Sequence, residues 1–475
     1  MKRITIDPVT RIEGHAKITI QLDDDGRVTN TEFHVTQVRG FEKITVGRPF
    51  YEMPGITARI CGICPVSHLL ASAKACDAIM AVQVPPAAHK LRELLHCAQI
   101  VQSHALSFFY LSAPDLLLGM DSDPASRNVL GVIASHPEMA RDGIDLRKFG
   151  LHIIEMLAQE RIHPSWIVPG GVATPLSSAT RDRILAELPE ARAIAERTIQ
   201  FFKGTLDKYK DEIDSFGSVP TMSAGLVDAK GKLQFYEGGL RFRGADGEII
   251  EDQIAAEDYG SWIGEASLKE SYLKAPYFKP MGPGDGIYRV GPLARLNVAD
   301  RLGTAKADAE LEEFQQRFGK PAHSSFLYHY ARLIEIMYAI ERMEALLADP
   351  RILDARVRAT ASVNALEGVG MIEAPRGVLI HHYKVDDEGA IVWANLIVAT
   401  GHNNFAIGRS IQQVSEHFID GQKLQEGMLN RVSAVVRAYD PCLSCSTHAA
   451  GQVALSIQLV DGNGELLDEI GSGSG

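Results

Sequence analysis

Six cysteines in 475 residues are too few to frame a disulfide scaffold. The core is therefore held by packing, and any paired cysteines point to metal or redox work. No apolar run reaches the ~18–20 residues that cross a bilayer. No apolar region follows Lys2 and Arg3, so MKRITIDPVT reads as a strand rather than a signal peptide, and the expected location is cytoplasmic. Positive charge is in deficit, 48 Lys and Arg against 60 Asp and Glu, for a formal net charge of -12. That balance argues against nucleic acid or an anionic membrane as the main partner. No Walker-type phosphate loop appears, nor a G-x-G-x-x-G between strand and helix, so no site for NAD or flavin is expected on this chain. No Gly/Ser/Pro-rich linker interrupts the interior and no repeat is visible. A length that alone suggests two to four domains thus reads as one body. What remains is 45% hydrophobic and 23% charged, the composition of an ordinary globular protein long enough to bury a large core.

Against that background two stretches stand out, RICGICPVSH at 59–68 and DPCLSCSTH at 440–448. Each holds two cysteines at C-x-x-C spacing followed by a histidine. Two intervening residues let both sulfurs face one side of a tight turn, so Cys61, Cys64, Cys442 and Cys445 together offer one metal four thiolates. Four thiolates suit zinc, an iron–sulfur cluster or a soft transition metal. Zinc ribbons close short loops, whereas these motifs stand near opposite ends of the chain and are crowded by Arg, Asp and His.

The pattern between them is mainly helical. ITI, AKITIQL and VTNTEFHV predict strands over residues 1–40, with a turn at Asp23–Gly26 and TRIEGH where the hairpin begins. Apolar residues at three- and four-residue spacing predict helices from Pro65 to about Leu118, broken at Pro85-Pro86. Further helices are expected at about 143–160, 179–213, 324–348, 403–418 and 423–437. Residues 214–300 lack a clear period and read as irregular structure with short strands. A second hairpin is expected at 378–398. The tail, AAGQVALSIQLVDGNGELLDEI, alternates like a small hairpin, and the final GSGSG reads as an appended linker. The expected fold class is α+β, mainly helical.

RICGICPVSH, DPCLSCSTH, TRIEGH and VRGFEKI together resemble the large, catalytic subunit of nickel–iron (NiFe) hydrogenases. The wording of QSHALSFFYLSAPDLLLG is similar to the cytoplasmic, bidirectional, NAD-linked branch, and the resemblance runs from end to end. It implies that family's large-subunit fold, a central helical bundle with small peripheral hairpins and sheets. It also implies nickel bound by all four thiolates, Cys61 and Cys442 terminal, Cys64 and Cys445 bridging to an iron that carries one carbon monoxide and two cyanides. Dihydrogen then splits heterolytically, with the Cys442 thiolate a natural first proton acceptor.

The same resemblance assigns the surroundings. Arg376, in APRG, matches the arginine over the open metal position, where a guanidinium keeps its charge and presents several donors in a fixed fork. Pro375, Leu379 and Thr400 match the lining of the same pocket, Thr400 standing where the membrane-bound branch has serine. Asp440 is expected to pair with Arg376 or orient it, and His68 to hydrogen-bond a bridging sulfur. Glu13 matches the glutamate that moves protons from the terminal thiolate towards the surface, a task suited to a carboxylate buried by strand packing. Glu42, a backbone carbonyl taken as that of Leu396, and His448 match the ligands of a separate magnesium or iron ion, His448 being an unusual ligand for a hard cation. Many respiratory members carry an aspartate in a helix reading HDH; this chain has Ser103 in QSHAL, so one carboxylate near Arg376 is missing. Cys76 and Cys97 match no ligand and are expected to be buried thiols.

Beyond the four motif cysteines only two remain, too few for an all-cysteine iron–sulfur cluster, so the electrons of hydrogen need a partner to carry them. The resemblance implies an iron–sulfur small subunit, with a flavin- and NAD-binding diaphorase beyond it. It also implies maturation proteins and an endopeptidase that cuts between His448 and Ala449 once nickel is in place. The expected division is a catalytic domain at 1–448, a removable extension at 449–470 and the linker at 471–475. The chain as it stands then reads as the precursor, whose extension, if ordered, holds the second motif away from its final position. A non-enzymatic scaffold with a structural zinc site made by the four cysteines is the rival reading. A cousin without catalysis, like the quinone-binding subunit of respiratory complex I, is disfavoured by the four intact cysteines.

Overall fold

The computed structural model describes residues 2–419 and 423–447, together with the backbone of strands Ser456–Val460 and Leu466–Gly471. Strands β1 (Lys2–Ile6), β2 (Lys17–Leu22) and β3 (Val28–His34) form an antiparallel meander, with Ile18, Ile20, Leu22 and Phe33 turned into the core. TRIEGH lies in the β1–β2 connection.

The centre of the molecule is helical. Helix α1 (Pro65–Met80) and helix α2 (Pro86–Ala105) are separated by the extended Pro85, as the Pro85-Pro86 pair predicts. Helix α2 continues through a π-helical segment, Leu106–Ser112, into Ala113–Leu118. Helix α2 packs against α3 (Pro137–Ala158) and α5 (Tyr328–Ala348), and α5 in turn against α4 (Ser178–Thr205). All but one of the residues of α1 from Pro65 to Asp77 are buried, and all of α2 from Leu91 onward, including the polar residues that interrupt the apolar spacing of α2. Helices α6 (Asn404–Phe418) and α7 (Glu426–Tyr439) then carry the chain back to the second cysteine motif.

Two regions differ from the sequence reading. Residues 214–300 are not largely irregular: Met222–Val227, Gly239–Arg243 and Ile249–Ile254 form a sheet, and Tyr288–Arg289 joins it in parallel. Leu226, Leu240 and Phe242 are sealed beneath it, but short strands broken by register shifts leave too few alternations to show a period of two. The second hairpin is a three-stranded sheet. Strand β4 (Glu367–Ala374) pairs with β5 (Gly377–Val385), which pairs with β6 (Ile391–Ile397). The β4 run EGVGMIEA escapes notice because its glycines interrupt the apolar pattern.

Those glycines have a reason. A Cβ on Gly370 would stand 1.9 Å from the carbonyl oxygen of Ala71, and one on Gly368 2.2 Å from that of Ala75. Helix α1 therefore lies directly on β4, with no side-chain layer between. Because Cys64 immediately precedes α1, this contact sets where the first cysteine motif sits. Gly370→Ala is expected to lower the thermal midpoint, at the upper end of the ~1–3 kcal/mol typical of overpacking, and to reduce nickel incorporation. Gly408→Ala, where a Cβ meets nothing within 4 Å on α6, should be neutral or stabilising. Differential scanning fluorimetry and metal analysis of both variants check the contrast.

Beyond the second motif, Ser456–Val460 and Leu466–Gly471 pair antiparallel, the hairpin that the alternation predicts. Among the described residues no helix is long and apolar enough to cross a membrane.

Candidate metal centre

Each cysteine pair is placed by a helix start. Cys64 is the residue before the first turn of α1, and Cys442 precedes the short helix Leu443–Ser446. The backbone N–H groups of Ile63 and Cys64 both donate to Cys61 Sγ at 3.2 Å. The second motif is seated by the Cys442 N–H donating to Thr400 Oγ1, 2.9 Å, and by TRIEGH. Leu443 N–H donates to the Glu13 carbonyl, and Ser444 N–H to Glu13 Oε2 at 3.0 Å. Gly14, at φ 88°, allows that approach, since a Cβ there would fall 2.8 Å from Leu443 Cβ. Arg11 and Arg437 lock the loop to the end of the π-helical segment and the helix Ala113–Leu118 that follows it. Arg11 donates to Leu111 O and Asp115, while Arg437 donates to Thr10 O and Asp115 Oδ2.

The result is one group of four buried sulfurs, all within 4.8 Å of one another. Cys61 and Cys442 stand 3.5 Å apart, Cys64 and Cys445 3.9 Å, Cys442 and Cys445 2.7 Å. Thiols this close share protons. Hydrogen bonds from the other three sulfurs, and one with His68, hold Cys64 well below the ordinary thiol range. Hydrogen bonding to its neighbours pushes Cys442 well up, and burial does the same for Cys445. The extension expected to hold the second motif away from its final position begins in residues outside the described ones; within the described residues the two motifs stand together. Cys442 is seated on Thr400, and the turn that carries Cys445 is seated on Glu13, both well ahead of the motif in the chain.

A small closed cavity adjoins the sulfurs, lined by Cys64, His68, Pro375, Arg376, Leu379, Thr400, Cys442 and Cys445 among others. Arg376 reaches it from the tight turn between β4 and β5, where Ala374 pairs with Gly377. Its Nε–H donates to Asp440 O at 2.6 Å and its Nη2–H to Asp440 Oδ1 at 3.2 Å; Nη1 has only Ser103 Oγ, at 3.5 Å. Burial opposes the charge on Arg376, but Asp440 and the sulfurs outweigh it and hold the guanidinium well above its ordinary value. Burial raises Asp440, with Arg376 and Arg332 pulling the other way. Ser103 thus meets Arg376 with an uncharged hydroxyl. His68 sits inside the site with Nδ1 3.1 Å from His381 Nε2, and His381 in turn meets Tyr383.

Glu13 differs from its expected setting. It lies on a loop rather than in a strand and is half-buried, ordered by the Ser444 amide. Glu42 is buried and accepts from Leu396 N–H at 2.9 Å; burial raises its carboxyl above the ordinary value. Glu42, Leu396, Cys445 and Thr447 line a second small cavity beside the sulfurs. His448 and Ala449 lie outside the described residues. Cys76 and Cys97 are buried thiols whose burial raises them above the ordinary range.

Two positioning residues escape the sequence reading. Arg295, fully buried, donates to Glu335, to Glu373 and to the carbonyls of Ala374 and Pro375, so it grips the strand end that bears Arg376. Arg332, on α5, donates to Ala438 O at 2.6 Å. The one signal was a charge standing on an otherwise apolar helical stretch, which any motif-based reading passes over.

Four buried thiols that converge beneath a buried arginine are not a packing solution; they are a soft-donor set that fits nickel and iron. A model of the nickel-dependent hydrogenases matches residues 39–128 and 235–448, and a HoxL-like model matches residues 3–38. The chain belongs to the nickel-dependent hydrogenase family, as a large subunit. Within the family it is similar to the NAD-reducing hydrogenase HoxS subunit beta of Cupriavidus necator, 41% identical over 484 residues, covering 98% of this chain and 99% of that one. It is also 45% identical over 416 residues to a chain of the vhu F420-non-reducing hydrogenase of Methanococcus voltae, covering 88% and 99%. The crystal structure of an NAD+-reducing NiFe-hydrogenase in the H2-reduced state matches with a TM-score of 0.92 and 46% identity, over 94% of this chain and all of that one.

Proposed function

We propose that this chain is the catalytic subunit of a cytoplasmic hydrogenase that interconverts dihydrogen with protons and electrons and passes the electrons to NAD+ through partner subunits. The observation that carries it is the group of four buried sulfurs beside a cavity into which Arg376 projects. Cys61, Cys64, Cys442 and Cys445 would hold a nickel–iron pair, with carbon monoxide and cyanides on the iron, and that pair would supply the Lewis-acid and redox chemistry that dihydrogen needs. Arg376 acts there through Nη1, the arm Asp440 leaves free, as a fixed positive charge and donor in a water-poor space. Pro375, Leu379 and Thr400 close the cavity, and His68 orders the sulfur of Cys64.

Glu13 is the proton carrier in this reading, since it bridges the second motif and the partly exposed TRIEGH loop. Glu13→Gln keeps an oxygen for the Ser444 amide but holds no exchangeable carboxyl proton. Hydrogen uptake with a dye acceptor should fall ~10²- to 10⁴-fold, the usual span for losing a positioned acid–base group, with nickel and iron content unchanged. Unchanged uptake would remove Glu13 from the proton path.

Glu42, with the Leu396 carbonyl and His448, is assigned to a separate magnesium or iron ion. Among the described residues no further cysteine cluster exists to carry electrons, which supports partnership with an iron–sulfur small subunit. The names of similar proteins point beyond it to an NAD-linked diaphorase. The family match ends at residue 448, which supports maturation proteins and a cut at His448–Ala449, with this chain as the precursor. The test is elemental analysis of chain purified without oxygen from its host. About one nickel and one iron per chain, beyond any iron in partner clusters, is expected; zinc alone in a sample shown by mass to end at His448 overturns the reading.

A further inference from the structure

The backbone just ahead of Cys442 is pinned from two sides by arginines. Arg376 Nε–H donates to Asp440 O, and Arg332 Nη2–H donates to Ala438 O, each at 2.6 Å. Ala438 stands in the last turn of α7, where helix carbonyls lack partners and a cation is favoured. Asp440 ends that helix in the left-handed region, φ 55°, a conformation that a non-glycine residue keeps only when its surroundings enforce it. Tyr439 between them is held by Ser325 and Ser410. Arg332 is nearly fully buried, its guanidinium 5.7 Å from the centre of the Tyr328 ring.

Arg332 is also unfinished. Its Nε and Nη1 are buried with no partner, and so is Asp440 Oδ2, which lies 3.1 Å from Arg376 Nη2 without a hydrogen bond directed at it. Buried donors and an acceptor left open around one charged group are the setting for an internal water, which needs two to four polar partners. The charge of Arg332 bears most strongly on Asp440 and then on Arg376. Ser103 supplies no charge on the other side of Arg376, so among the described residues Asp440 is the carboxylate the two arginines share there.

We propose that Arg332 is a positioning residue for Arg376. It holds the end of α7 and, through an internal water on its free N–H groups, Asp440 Oδ2, so that Asp440 in turn aims the free Nη1 arm of Arg376 into the cavity. Arg332 touches neither the sulfurs nor the cavity, and it acts only through Asp440. The inference rests on reading Arg376 as the residue over the open metal position.

Arg332→Met and Arg332→Lys in the mature enzyme test it. The wild type must first show infrared bands of iron-bound carbon monoxide and cyanide; their absence overturns the metal assignment itself. Given those bands, Arg332→Met should keep nickel and iron at wild-type levels, shift the cyanide bands and lower turnover ~10- to 100-fold, as loss of an outer partner does. Arg332→Lys, which keeps a donor for Ala438 O but lacks the fork, should recover part of both. It also decides the matter alone should the methionine variant fail to fold. Cyanide bands and turnover that match wild type in the folded variant overturn the proposal, as does a drop in turnover with unmoved bands.

Discussion

Arg376→Lys is expected to leave the protein folded and metal-loaded while lowering hydrogen turnover ~10²- to 10³-fold, the usual loss for one preorganised donor at a reacting centre. Geometry dictates the size. Arg376 spends Nε on Asp440 O and Nη2 on Asp440 Oδ1, and only Nη1 remains for the cavity. A lysine ammonium is a point charge on a flexible stem; it satisfies Asp440 or reaches the cavity, not both. Charge is conserved and Asp440 keeps a counter-ion, so stability should change little. Dye-coupled uptake, with nickel and iron measured on the same sample, checks this. Loss of metal in parallel with activity would make Arg376 a structural residue.

The largest stability effect is expected at Arg295→Met. Arg295 makes two bonds to Glu335, one to Glu373, and one each to the carbonyls of Ala374 and Pro375, all without solvent; Glu335 also meets His104 Nε2 at 2.7 Å. Removing the cation leaves two buried carboxylates without their counter-ion, though His104 and the Leu226 N–H still bond them, and takes one donor from each of two carbonyls, a change that costs about 3–5 kcal/mol. Burial raises Glu373 from an ordinary 4.5 to about 7 even with Arg295 present. A raised folded value means that its contribution to stability is fully present below about 4.5 and is lost as the pH rises through 7. In Arg295→Met the protonated form is favoured further, so the destabilisation should be smaller at pH 5.5 than at pH 8. Apparent unfolding temperatures at both pH values measure it, and an equal loss at both would show that Glu373 is not the group left exposed. Turnover should also fall, because the turn bearing Arg376 loses its grip.

The parts of the site carried by short contiguous wording were legible in the sequence. The cysteine pairs, the arginine in APRG and the acid in TRIEGH each come with neighbours that specify a local shape, and the structure brings the four sulfurs and Arg376 together. Helices were legible wherever an apolar stripe ran for several turns, as in α1, α2 and α5. The sheet at 222–254 and strand β4 were not, because β pairing depends on partners distant in sequence, and the glycines of β4 answer to a helix that no local pattern reveals. Arg295, Arg332 and His381 stayed hidden for the same reason, since each acts on backbone or side chains some 40 to more than 300 residues away.

The sequence alone determined the chemistry on offer: four thiolates in two pairs, one arginine and a few acids. Only the tertiary structure decided where those groups stand. It set α1 on the glycines of β4, hung the second motif from Thr400 and Glu13, and left Arg376 one free arm by giving the others to Asp440. The physical reason is that residue type fixes what an atom can donate, accept or ligate, whereas distance and desolvation, which decide whether it does, exist only once remote parts of the chain are packed together.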